Sequence, residues 1–147
     1  MIHPNRQNRF DRAIFAMARS SSSNSKEVRA LAAAIICAEM QFRPFVFRIG
    51  EYIYALIRLA INKNIDSMTL GVAQVSLRHY RDFLAVDRWR AVLASTDLRT
   101  NWQMCCLYLE KYGCYDVETA VNAYNGVATT YYRRTVSNYF AVFIRAL

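Results

Sequence analysis

Only four glycines and two prolines occur among the 147 residues of this chain. A β-sandwich or β-barrel needs many tight turns, and turns rely on these two residue types. Apolar residues make up 54% of the chain and charged residues 20%, which is typical of a globular protein rather than a disordered one. The length fits one domain. The sequence therefore predicts a mainly α fold, a single compact helical domain with at most a very short β element.

Two parts are predicted along the chain. Residues 1–24 form an N-terminal helix and a flexible serine-rich joint, Ser20–Asn24, and residues 25–147 form the main domain. Ser25 is a suitable N-cap for the first helix of that domain, and Pro44 precedes a second helix with a wide apolar face, Phe45 to Ala60. Residues 66–71 are predicted as a loop or short extended segment. Further helices are predicted at about 74–85, 87–95, 97–112, 116–125 and 129–145, with Asp97 and Asp116 as caps and Gly113 as a stop.

The net charge of +8 predicts a polyanionic partner. The charges are scattered and form no block of five, which argues against a dedicated nucleic-acid arm. Two histidines and the absence of a CxxC motif argue against a metal site, and no cofactor is predicted. Cys37 and Cys106 fall in apolar helical stretches, where a cysteine behaves as a small buried hydrophobe; a disulfide that involves Cys114 stays open.

No segment has the length and apolar character of a membrane span, and no cleavable signal peptide is recognised. The protein therefore acts where it is made, or leaves the cell without a cleaved signal, or is the processed part of something longer.

Glu39 occupies an unexpected position in the first helix of the main domain. Val28, Leu31, Ile35 and Glu39 follow one another at spacings of three, four and four residues, along one stripe of a helix. An acid in such a stripe loses solvation of its charged form, and an acid that keeps its proton can protonate the leaving oxygen of a glycosidic bond. The simpler alternative is an ion pair with Arg43, four residues later.

Two further segments carry polar side chains of the kind that bind sugars. Gly71 and Gln74 lie in a turn, where glycine permits close approach and the glutamine amide can both donate and accept hydrogen bonds. Tyr124 and Asn125 precede Gly126 at the end of a helix, where they could hold an acid and grip an amide-bearing ligand. Each segment is weak by itself, since Gly-x-x-Gln is common and Gly126 suits an ordinary helix end.

Taken together, Glu39, Gly71–Gln74 and Ala123–Gly126 resemble the soluble lytic transglycosylase and goose-type lysozyme family, which has the lysozyme-like fold. The resemblance extends from about residue 27 to residue 132 and includes the family's penultimate helix. It implies that Glu39 is the catalytic acid, that Gly71 and Gln74 line the sugar cleft, and that Tyr124 and Asn125 orient acid and substrate. The chain departs from the family where Val72-Ala73 replaces Leu-Met, where the third motif is one residue shorter, and where an extra helix separates Glu39 from Gln74.

The number of carboxylates decides the chemistry. Hydrolysis by inversion or by an enzyme nucleophile needs a second one, and Glu51 and Asp66 are the candidates. Both also have ordinary surface explanations, Glu51 on the polar side of its helix and Asp66 in a loop. A lytic transglycosylase needs one acid, and because no carboxylate is signalled beside Gln74, the sequence favours this scheme with Glu39 as general acid and base.

The predicted function is therefore cleavage of the MurNAc–GlcNAc β-1,4 bonds of peptidoglycan, in the bacterial periplasm or cell wall. Phage lysis or a secretion system that delivers an antibacterial effector would explain the missing signal, and an effector would require an inhibitor or immunity protein as a partner. Three alternatives stay open: a hydrolytic goose-type lysozyme, a peptidoglycan glycosyltransferase, and a basic helical module that binds without catalysis.

Overall fold

The computed structural model describes the backbone of residues 4–124 and 128–147, with side chains from residue 9 onward. The predicted fold class is confirmed: this part of the chain is mainly α, with a single two-stranded hairpin. The helices are α1 (Pro4–Ser20), α2 (Lys26–Phe42), α3 (Phe45–Ala60), α4 (Leu77–Leu84), α5 (Arg88–Ala94), α6 (Leu98–Lys111), α7 (Val117–Tyr124) and α8 (Thr130–Ala146), and the strands are β1 (Thr69–Leu70) and β2 (Val75–Ser76).

The predicted helix ends are confirmed where they depend on local chemistry. The hydroxyl of Ser25 accepts a hydrogen bond from the Val28 amide at 3.2 Å, so it caps α2. Asp97 and Asp116 cap α6 and α7 by accepting from backbone amides three residues later, at 2.7 and 2.9 Å. Gly113 follows α6 with a backbone φ of +63°, the left-handed conformation that glycine adopts readily at a helix end.

The chain forms two compact units. The first unit contains residues 1–38 and 109–147, and its fully buried side chains include Ile14, Leu31 and Val136. The second unit contains residues 39–108, with Ile65, Leu77 and Tyr80 among its fully buried side chains. Helix α1 belongs to the first unit, together with most of α2.

In the second unit, β1 and β2 pair antiparallel, with Thr69 opposite Ser76 and Leu70 opposite Val75. Residues 71–74 connect them, so the predicted extended segment is one arm of a short hairpin, and α4 begins at Leu77, later than predicted. This hairpin carries two of the predicted site residues.

All four cysteines are buried and free, which confirms the interpretation of Cys37 and Cys106 as small hydrophobes. Burial and the neighbouring Asp11 raise the pKa of the Cys37 thiol, so it stays protonated. Within residues 4–124 and 128–147, no single helix is long and apolar enough to cross a membrane; α2 and α3 reach that length and composition only as a bent pair.

Helix α3 differs from its sequence-based interpretation. Its apolar face forms as predicted, but much of it is exposed: Phe45, Ile53 and Ile57 keep 72%, 54% and 55% of their surface. The buried positions of this helix are Arg48, Ala55 and Leu59. The side that faces the protein therefore carries an arginine, and the strongly apolar side faces outward.

Candidate active site

Glu39 lies in the last turn of α2, in the part of the helix that belongs to the second unit. Its side chain is 10% exposed, as expected for an acid in a buried stripe. Arg43 Nε lies 3.8 Å from Glu39 Oε2, so the ion pair of the simpler alternative is also present. Glu39 is thus a shielded acid that has a cation nearby.

Arg43 contacts other polar groups at shorter distances than it contacts Glu39. Its Nη1 lies 2.6 Å from Glu51 Oε1 and donates to Gln74 Oε1 at 2.8 Å. The amide nitrogen of Gln74 in turn donates to Glu51 Oε2 at 3.3 Å. One guanidinium therefore connects both glutamates and the glutamine, and we call Glu39, Arg43, Arg48, Glu51 and Gln74 the carboxylate–arginine cluster.

Arg48 is the buried arginine of this cluster. Its buried guanidinium donates to three backbone carbonyls: Glu39 at 3.0 Å, Arg43 at 3.2 Å, and Gly71. Burial lowers the pKa of Arg48, whereas the charges of Glu39 and Glu51 act in the opposite direction. The arginine fixes the end of α2, the start of α3 and the hairpin loop in one arrangement. This role was not predicted from the sequence; the available signal was an arginine within a strongly apolar helix.

The hairpin loop holds Gln74 in a constrained conformation. The backbone φ of Gln74 is +51°, in the left-handed region that few non-glycine residues adopt. Its side-chain oxygen accepts from the Thr69 hydroxyl at 2.8 Å, and its nitrogen donates to the Gly71 carbonyl at 2.9 Å. With φ +78°, Gly71 is packed so closely that an added Cβ would overlap Asn101 Oδ1 and lie 2.5 Å from the Ser95 carbonyl oxygen.

Asn101, at the start of α6, holds this loop in place. Its oxygen accepts from the Ala73 amide at 3.1 Å and from the Tyr80 hydroxyl at 2.9 Å, while its nitrogen donates to the Ser95 carbonyl at 2.7 Å. This buried amide supports Gln74 without belonging to the cluster. Its role depends on contacts between distant segments and carried no sequence signal of its own.

The two candidate second carboxylates have different surroundings. Glu51 does not lie on a plain polar surface, as its position in the sequence suggested; its side chain is 25% exposed and contacts both Arg43 and Gln74. A carboxylate therefore does lie beside Gln74, contrary to the expectation that favoured a single acid. Asp66 is bound by Arg81 at 2.8 Å and Arg88 at 3.4 Å. These contacts are those of a structural ion pair, so Asp66 is the weaker candidate.

Burial acts to raise the pKa of Asp66, but the hydrogen bonds and positive charges of Arg81 and Arg88 outweigh it and hold the pKa below its ordinary value of 3.8. Asp66 is therefore ionised at neutral pH and holds α4 and α5 to the loop after α3.

The third predicted motif lies partly outside the described residues. Tyr124 is the last residue of α7 and is half-buried within the first unit, whereas Asn125 is not among the residues that the structure describes. The site presented above is therefore built from the second unit: Glu39, Gly71 and Gln74 are brought together, and Glu51 joins them.

No protein-family model, no curated protein and no solved structure matches this chain. Among the described side chains, no group of three histidines, cysteines or acids converges in a way that could hold a metal ion. The cluster itself consists of two carboxylates, two guanidinium groups and one amide.

Proposed function

We propose that the protein cleaves peptidoglycan glycan strands, with Glu39 as the general acid and base. The observation that carries the proposal is that Gln74, 35 positions from Glu39 in the sequence, shares Arg43 with it in one cluster. A shielded acid held in a fixed polar network suits a general acid, which protonates the glycosidic oxygen. The Gln74 amide, whose hydrogen bonds are taken up by its neighbours, holds Arg43 and Glu51 in place. The resemblance to lytic transglycosylases and goose-type lysozymes supports the same choice.

The two glutamates have environments that suit different roles. Arg43 Nη1 lies 2.6 Å from Glu51 Oε1, whereas Arg43 Nε lies 3.8 Å from Glu39 Oε2. Glu39 is also the more shielded of the two, at 10% against 25% exposure. Enzymes that act on glycosides commonly place two carboxylates in different surroundings, with the more shielded one as proton donor. Glu39 is the proton donor in our proposal.

Two product outcomes follow from the role of Glu51. In the single-acid scheme, Glu39 protonates the departing oxygen, and its carboxylate then takes the proton of the muramyl 6-hydroxyl as that oxygen attacks C1, which gives 1,6-anhydro ends. In hydrolysis, Glu51 acts as base or nucleophile and water supplies the new hydroxyl, which gives reducing ends. The contact between Glu51 and Gln74 is the specific observation that favours the second scheme. Action in the periplasm or cell wall, delivery by a specialised route and a dedicated inhibitor are parts of the same proposal.

The test measures loss of turbidity of purified cell walls, followed by the masses of the released fragments. We expect Glu39→Gln to reduce the rate by about 10²- to 10⁴-fold, the usual contribution of general acid–base catalysis. Asp82→Asn is the matched control, because Asp82 is an exposed acid of α4 in the same unit; it should clear walls at the wild-type rate.

The Glu51→Gln variant then separates the schemes. If hydrolysis depends on Glu51, this variant loses as much activity as Glu39→Gln and wild-type products carry reducing ends. If the single-acid scheme holds, the products carry 1,6-anhydro ends and Glu51→Gln keeps most of the rate. A wild-type protein that pellets with walls but never cleaves them would instead be a binding module, and the proposal would be rejected.

A further inference from the structure

The exposed large hydrophobic side chains of this protein are concentrated on one surface of the second unit. Eleven of the sixteen in the described part of the chain belong to the segment 45–61 or to the adjacent helix α5. We call this set the α3 face; its members are Phe45, Val46, Phe47, Ile49, Ile53, Tyr54, Leu56, Ile57, Ile61, Trp89 and Leu93. Exposed apolar patches of this extent mark interaction sites in proteins that do not aggregate.

Three consecutive apolar residues project at the start of α3. Phe45, Val46 and Phe47 follow Pro44 and keep 72%, 77% and 68% of their surface exposed. An ordinary surface helix would place its polar residues outward, but α3 buries Arg48 and ties Glu51 to Arg43. Glu51 is the single acidic residue between positions 45 and 61. The outward side of α3 is therefore apolar and carries no carboxylate.

A cavity of about 460 Å³ extends this face between α3 and α5. Its walls are Tyr52 and Leu56 on one side and Val92 and Leu93 on the other, with Trp89 and Arg90 also lining it. The lining is almost entirely hydrocarbon and aromatic, which suits an acyl chain rather than a sugar. Trp89 has an exposed indole, and Arg90 has a side chain that is 76% exposed.

The charges that surround the α3 face are mostly positive. Apart from Arg48, which is buried, and Glu51, which is bound to Arg43, segments 45–64 and 87–94 contain four cationic residues, Arg58, Lys63, Arg88 and Arg90, and one acid, Asp87. Arg88 is paired with Asp66 and Arg90 with Asp87, and Arg58 and Lys63 supply the remaining positive charge. A second copy of the chain is a poor occupant, because a symmetric dimer would place this cationic surplus against itself. An anionic bilayer offers both hydrocarbon for the apolar side chains and phosphate for the cations.

We infer that the α3 face docks on an anionic lipid bilayer, with the exposed apolar side chains at the start of α3 inserted below the headgroups. Phenylalanine, tryptophan and tyrosine beside arginine and lysine are the side chains of interfacial helices. The inference holds whether or not the protein cleaves glycan, because the exposed residues that carry it lie outside the carboxylate–arginine cluster.

Co-sedimentation with vesicles tests the inference. The probes are vesicles of equal parts phosphatidylglycerol and phosphatidylcholine, and vesicles of phosphatidylcholine alone. We expect the wild type to bind the anionic vesicles, and the double variant Phe45→Ser with Phe47→Ser to bind about tenfold or more weakly, since it removes the inserted hydrocarbon. Added salt should weaken wild-type binding, because the attraction to anionic lipid is screened.

A matched control changes exposed apolar residues elsewhere. Tyr131 and Val142 on α8 are 61% and 63% exposed, so Tyr131→Ser with Val142→Ser removes comparable exposed surface from the first unit. This variant should bind like the wild type. Tryptophan emission gives a second readout: Trp89 is 55% exposed and Trp102 is 4% exposed, so a blue shift on adding vesicles reports burial of Trp89.

Several results would overturn the inference. It fails if the wild type binds neither kind of vesicle, if it binds both kinds equally, or if the α8 control loses binding as much as the α3 variant. It also fails if sedimentation velocity without vesicles shows a dimer that Phe45→Ser with Phe47→Ser abolishes, because a second copy would then cover this face. Turbidity clearing of cell walls is measured separately, so loss of lipid binding and loss of glycan cleavage are distinguishable.

Discussion

Helices α2 and α3 are almost equal in length and both are strongly apolar, yet the protein uses them in opposite ways. All ten residues from Ala30 to Glu39 in α2 are buried, whereas α3 exposes most of its large apolar side chains and buries Arg48. Alanine is frequent in α2, which lets neighbouring segments approach from every side, while α3 carries bulky residues. Hydropathy therefore indicates how apolar a helix is, but not which side of it the fold covers.

Matched isoleucine truncations test this comparison most strongly. Ile35 in α2 is fully buried and Ile57 in α3 is 55% exposed. Ile35→Ala should lower the free energy of unfolding by about 2–5 kcal/mol, because it removes buried methyl groups and leaves a cavity. Ile57→Ala should change it by about 0.5 kcal/mol or less. Urea denaturation measures both, and a large cost for Ile57→Ala would mean that the α3 face is covered in solution.

Replacement of Arg48 tests the polar interior of α3. Arg48→Met keeps much of the volume but leaves the carbonyls of Glu39, Arg43 and Gly71 without this donor. We expect a loss of about 3 kcal/mol of unfolding free energy. The control is Arg58→Met, because Arg58 bonds to Tyr54 and Asn64 near the surface; its loss should cost about 1 kcal/mol. Equal costs for the two variants would contradict the structural role of Arg48.

A smaller effect is expected for the ion pair at Asp66, which belongs to neither helix. Asp66→Asn should lower stability by about 1 kcal/mol at neutral pH. The folded protein holds the pKa of Asp66 below 3.8, so this contribution is complete above that value and is lost as the pH falls through the folded pKa. Urea titrations at neutral pH and below pH 3.8 should show a difference that shrinks in acid. A difference that grew in acid would refute the assignment.

The features that the sequence predicted correctly depend on neighbouring residues. Ser25, Asp97 and Asp116 cap helices because their side chains reach amides three residues away, and such contacts are visible in a linear sequence. The burial of Glu39 followed from helical periodicity in the same way. The resemblance of motifs added Gln74, which does lie near Glu39, although the function that it implies stays a prediction.

The features that the sequence did not predict depend on contacts between distant segments. Glu51 contacts Gln74, 23 positions later in the chain. Asn101 of α6 contacts Ala73, which lies in the hairpin loop. No periodic pattern encodes these pairs, so the sequence offered Glu51 as a candidate second carboxylate without its contact to Gln74, and Asn101 had no assigned role. The outward face of α3 was missed for a related reason: an apolar pattern is the same whether a helix faces the core or something outside the chain.

The three glycines in the described residues predict how unequally natural variation would be tolerated along this chain. At position 50 a methyl group would meet nothing within 4 Å, so many residue types fit. At position 113 there is space, but the positive φ restricts the choice to residues that accept this conformation. At position 71 both restrictions apply. A library of functional variants should therefore be diverse at 50, narrow at 113, and contain glycine alone at 71.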